Sequence, residues 1–168
     1  LLKLQKEQER IKRRQQEVIA MLQKSNRFVV TQPDVVIDRK TSLMWSLLDS
    51  NLVQGNCMNF RSAVQYVRGL RHGGYSDWRL PNAKEMQSIV DYSRAPDATN
   101  SAAIDPMFNI TGITNEAGQP DYPWFWTGTT FLRADGNTSN AVYIAFGRGL
   151  GSMDNVNVID VHGAGCQR

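Results

Sequence analysis

Two adjacent glycines, Gly73 and Gly74, open the run Gly74-Tyr75-Ser76-Asp77-Trp78-Arg79-Leu80-Pro81-Asn82, and no other stretch restricts the fold as tightly. The glycines permit a tight or left-handed bend, and Pro81 bars a helix from including Leu80. Trp78 and Leu80 can point the same way from an extended segment, which predicts a short strand ending in a helix cap. Glu85 follows Asn82 at capping-box spacing, and Met86, Ile89 and Val90 recur at helical intervals, predicting a helix that runs to Tyr92. Asp77 and Arg79 flank the indole and are expected to tie the bend to neighbouring loops by charge-assisted hydrogen bonds. Asp77, Trp78, Arg79, Leu80 and Pro81 therefore read as a core-building corner, with Trp45 as a second core residue.

Leu1 to about Ser25 holds Lys, Gln, Glu and Arg with no glycine or proline, which predicts one continuous helix. Leu4, Ile11 and Val18 fall seven apart, beside a second line of Leu1, Gln8, Gln15 and Leu22. That pattern suits a short coiled coil, and axial glutamines fit three strands as well as two. A basic amphipathic helix lying on an anionic surface is the alternative reading. The stalk is expected over 1–26 and a globular head over 27–168. In the head, Val35-Val36-Ile37 and Leu43-Met44-Trp45 read as a hairpin, and Phe60, Ala63, Val64, Val67 and Leu70 as one face of a helix. From Ser93 to Tyr122 turn residues dominate, predicting a long irregular excursion with a helical turn near Ile104 to Phe108. Pro123 to Thr127 and Ala141 to Phe146 read as paired strands, Val142, Ile144 and Phe146 facing inward and Tyr143 and Ala145 outward. Val158 to Val161 reads as a final extended piece.

The net charge of +3 is unevenly shared. Residues 1–27 carry eight basic groups against three acidic ones, an excess of +5, whereas the remainder has eleven against thirteen, or −2. The positive field belongs to the helix, so the head gives no reason to expect a nucleic-acid partner. No apolar run reaches the roughly 18 residues of a membrane span, and any membrane attachment is expected through an anchor upstream of Leu1. Cys57 and Cys166 could pair or remain reduced.

Neither His72 nor His162 has a second histidine at helical spacing, and Gly-x-Ser-x-Gly is absent. Gly147-x-Gly149-x-Gly151 lacks the strand-to-helix context of a dinucleotide site. Asp97, Asp105, Asp121, Asp135 and Asp154 are hard oxygen donors without an EF-hand loop, so no catalytic residue, metal or cofactor is expected. Asn109-Ile110-Thr111 and Asn137-Thr138-Ser139 match glycosylation acceptors.

Asp77-Trp78-Arg79-Leu80-Pro81-Asn82 with its following helix, the upstream Ile37-Asp38-Arg39-Lys40-Thr41-Ser42-Leu43-Met44-Trp45, and the helix between them resemble the C-terminal domain family of Legionella collagen-like protein. The family pattern leads one to expect glycine where Ser42 stands. The resemblance implies an α+β, C-type-lectin-like head with two helices, a small twisted antiparallel sheet and long loops. The end of the chain, Asp160 to Arg168, is similar to retroelement-diversified variable proteins, in which a further strand would follow Arg168.

On that reading the chain is a non-enzymatic, surface-displayed module, extracellular or on a bacterial cell surface, that binds a glycan or protein ligand. Tyr143, Arg148, Leu150, Ser152, Met153, Asp154, Asn155 and Asn157 combine aromatic area, directed hydrogen bonds and adaptable amides, as binding surfaces do. A homotrimer through the N-terminal coiled coil would add avidity. The alternatives are an assembly protein whose head loops make subunit contacts, and an enzyme on a formylglycine-generating-like scaffold.

Overall fold

A computed structural model describes residues 2–25, 27–50, 58–149 and 152–156. The chain divides into two compact units, Leu1–Ser46 and Leu47–Arg168. Both helices and small antiparallel sheets are present, so the class is α+β.

In the first unit, helix α1 (Leu2–Ser25) occupies the segment without helix breakers. Glu7 pairs with Arg10 and Glu17 with Arg13 along its surface. Ile11, the central apolar residue of the heptad line, is 49% exposed. Strands β1 (Phe28–Gln32), β2 (Val35–Asp38) and β3 (Leu43–Ser46) form an antiparallel meander with β2 central. Val36 faces Trp45 in the β2–β3 register, as the alternation predicts, and Val35 and Val36 are fully buried. Trp45 is half-buried, and its indole N–H is buried with no hydrogen-bond partner among the described residues.

The meander is closed by Asp38. Its carboxylate accepts from Arg27 Nε at 2.9 Å and Nη2 at 2.7 Å, from the Lys40 amide at 2.9 Å and from the Thr41 hydroxyl at 2.9 Å. Burial pushes this carboxyl up, but the Arg27 fork, the Lys40 amide and Thr41 together hold it below its ordinary value. In the same turn Ser42 adopts φ +58°, the left-handed region that glycine enters without strain.

In the second unit, helix α2 (Phe60–Gly69) begins where Asn59 accepts from the Ser62 amide at 2.9 Å. Helix α3 (Ala83–Gln87) starts with the expected capping box, Asn82 and Glu85 each satisfying the other's backbone. Helix α4 (Pro96–Thr99), the short pair β4 (Ile113–Thr114) and β5 (Pro120–Asp121), and a sheet of β6 (Trp124–Leu132), β7 (Thr138–Ala145) and β8 (Ser152–Asn155) follow. The sheet order is β6-β7-β8, all antiparallel.

Trp126, fully buried, anchors the core. Its Nε1–H donates to the Met58 carbonyl at 3.1 Å, and Phe60 meets it edge-on with centroids 5.8 Å apart. Met58, Ala63, Ala141 and Val156 complete the buried cluster, and Phe60, Tyr66, Leu80 and Tyr143 pack against it. On the other face of the sheet Phe125 meets Phe146 edge-on with centroids 5.4 Å apart, and Ile104, Phe108 and Ile144 are each buried.

Three expectations change. Residues 76–82 form no strand, because the backbone there bonds singly: Pro81 O accepts from the Gly128 amide at 2.7 Å, and the Thr129 hydroxyl accepts from the Ala83 amide at 2.9 Å. Helix α3 stops at Gln87 instead of reaching Tyr92, since Val90 bridges to Ile104 and the Asp91 amide donates to Ala103 O at 2.8 Å. The helical turn of the excursion forms at Pro96–Thr99, where Pro fits the first turn, and residues 104–108 make a bridge and a tight turn instead. Cys57, Cys166, His162 and the expected extended piece at 158–161 lie outside the described residues.

Candidate functional site

The corner at Gly74 to Asn82 is a brace. Trp78 is half-buried; its indole N–H donates to His72 O at 3.1 Å, and its ring lies 5.8 Å from His72 and 6.5 Å from Tyr75. It therefore closes the His72–Tyr75 turn, and Leu80 is the residue that reaches the central cluster. Arg79 holds Glu85 through two 2.8 Å bonds and also donates to Leu80 O. That fork lowers the Glu85 carboxyl below its usual range and strengthens the cap. Asp77 is exposed and forms no ion pair with a described residue. Pro81 receives β6 through the Gly128 amide.

The expected binding tract is split. Tyr143 stacks on Trp124 with centroids 4.6 Å apart and 11° between planes, and meets Trp126 edge-on. Its ring thus supports the sheet. Ala145, expected outside, is 5% exposed, because both faces of β7 are covered. Ser152, Met153, Asp154 and Asn155 make β8, pairing with Tyr143, Val142, Ala141 and Asn140 respectively. Leu150 and Asn157 lie outside the described residues.

Arg148 is built in firmly. Its amide donates to Asp121 Oδ1 at 2.8 Å, its Nε to Pro120 O at 3.3 Å, and its guanidinium pairs with Asp97. Asp121, 2% exposed, also accepts from the Tyr122 amide at 2.8 Å and from Asn115 Nδ2 at 3.3 Å. Gly147 makes this possible: a Cβ there would stand 2.0 Å from Asp121 Oδ1 and 2.8 Å from the Tyr122 nitrogen.

These contacts shape a groove of about 390 Å³ between the segment after α3 and the end of β7. Val90, Ala103, Ile144 and Ala145 give it an aliphatic lining, with Tyr92, Arg94, Asp97 and Arg148 as its polar or aromatic members. Tyr92 is 68% exposed, and its hydroxyl accepts from Gln87 Nε2 at 3.0 Å. Arg94 is oriented by a 3.3 Å bond from Nε to Ala102 O and forms no ion pair among the described residues. The size falls within the range of small-ligand sites. Among the described residues, Arg148 is the expected binding residue that lines the groove. Tyr92 was hidden as the last apolar residue of an overlong helix, and Arg94 as one charge in an irregular loop. Nothing local links either to residues 144–149; the Val90–Ile104 bridge and the Ala103 amide to Phe146 O bond, 2.7 Å, bring them together.

Asp105 and Asp135 have local tasks. Asp105 accepts from the Met107 amide and Asp135 from the Asn137 amide. Among the described residues no group of three or more His, Cys, Asp or Glu converges as a metal cluster would.

An α+β unit with a braced corner and a mixed groove defines a class of small domain rather than an activity. Residues 34–160 match the Lcl C-terminal domain, and the chain belongs to that family, the C-terminal domain family of Legionella collagen-like protein, which comprises surface or secreted proteins. No curated protein and no solved structure gave a match. Among the described residues no helix is long and apolar enough to cross a membrane.

Proposed function

We propose that the chain is a non-enzymatic, surface-displayed binding module, a C-type-lectin-like head carried on a trimeric coiled coil and recognising a glycan or a protein. The groove beside Arg148 carries the reading: an exposed aromatic, oriented guanidinium groups and an aliphatic lining are what a specific contact surface needs. The groove and its adjoining loops are accordingly added to the tract 143–157, with Arg148 common to both. The test is to screen the full chain on glycan and protein arrays alongside Tyr92→Ala and Arg148→Ala. Selective retention, weakened by both substitutions, supports the module. Retention that is uniform over all ligands, or indifferent to both substitutions, refutes it.

A second reading, assembly through the head, is favoured by Phe131 and Leu132, both more than half exposed on the outer part of the β6–β7 hairpin. If Phe131→Ser with Leu132→Ser lowers the oligomeric mass while the circular dichroism persists, assembly is the better account. Diversification by a retroelement belongs with the binding reading, and a reverse transcriptase gene beside a near-copy of the terminal coding segment would support it.

A further inference from the structure

We infer that the groove receives the free carboxyl end of a peptide whose last residue is aliphatic. This inference rests on the binding-module reading and narrows its ligand from glycan or protein to protein. Most of the polar side chains around the groove are already engaged: Gln87 donates to Tyr92, and Asp97 pairs with Arg148. Arg94 differs. Its Nε is spent on Ala102 O, which fixes the plane of the guanidinium, and no described residue supplies a carboxylate to it. An arginine so oriented is matched in charge and shape by a carboxylate accepting two parallel hydrogen bonds.

The rest of the lining decides what carries that carboxylate. Val90, Ala103, Ile144 and Ala145 are aliphatic. A sugar ring seated on them would place hydroxyls where no partner meets them, a costly burial. A leucine or valine side chain instead covers the lining and loses only its own hydration. The 390 Å³ volume stands near the lower limit of ligand sites, suiting a terminal residue with the start of the next. Exposed Tyr92 flanks the path by which the preceding residues would leave.

The experiment is calorimetric titration of the full chain with an N-acetylated tetrapeptide ending in leucine, its C-terminal amide, and hexanoate. The acid peptide binds, and amidation or Arg94→Gln each weakens binding at least about tenfold, the expected loss of a charge-assisted pair. Arg94→Lys restores part of the preference for acid over amide, while circular dichroism shows that each variant is folded. Equal binding of acid and amide overturns the inference, as does a preference that survives Arg94→Gln. Hexanoate binding as tightly as the peptide also overturns it, in favour of a simple alkyl carboxylate. If no peptide binds but Tyr92-dependent array signals persist, this inference falls and the binding-module reading stands; silence in both experiments removes both.

Discussion

Asp38 and Ser42, four residues apart in one turn, place opposite demands on stability. Asp38 ionises more readily in the folded chain than in the unfolded one, so its contribution is full above the ordinary carboxylate range and is lost as pH falls through the folded value. Asp38→Asn should therefore be less stable than wild type at pH 7. The gap should close progressively below about pH 4 in urea titrations run across that range. Ser42 works the other way. A left-handed residue other than glycine costs about 1–2 kcal/mol, of which glycine's greater freedom in the unfolded chain returns part. Ser42→Gly should consequently raise stability by about 0.5–1 kcal/mol, visible as a higher urea midpoint at unchanged slope.

Among the elements, α3 shows how a short helix can be held by its ends. Five residues cannot sustain a helix alone. The capping box supplies one end, the Arg79 fork fixes the Glu85 that completes the box, and the Thr129 hydroxyl takes the Ala83 amide. Asn82→Ala should cost about 1 kcal/mol in chemical denaturation, and Glu85→Gln less, since the amide can still reach back to the Asn82 nitrogen. These features were legible in the sequence because capping residues and proline act over three or four positions. The β2–β3 hairpin and α2 were legible for the same reason, their apolar periods being local. The length of α3 was not, because Val90 gives up its helical place to Ile104, fourteen residues away. The groove was hidden for a related reason. Its walls come from two segments about fifty residues apart, and alternation along β7 could not reveal that both faces are covered.

For the whole molecule, the exposed Ile11 is the test of the stalk. On the proposed trimeric stalk, a half-exposed isoleucine at the middle of a seven-residue line would be covered by its equivalents on two further chains. Sedimentation of the full chain should give three times the mass of one chain, and Ile11→Asp should give one. A wild-type monomer would remove the trimer from the proposal. Gly147 has a different reach. Suppose the codons for the final quarter of the chain were randomised and the products sorted for capture of any target. Position 147 should emerge unscrambled whichever target is used, because a clone with a side chain there forces the Asp121 carboxylate out of its seat and never presents a sortable surface.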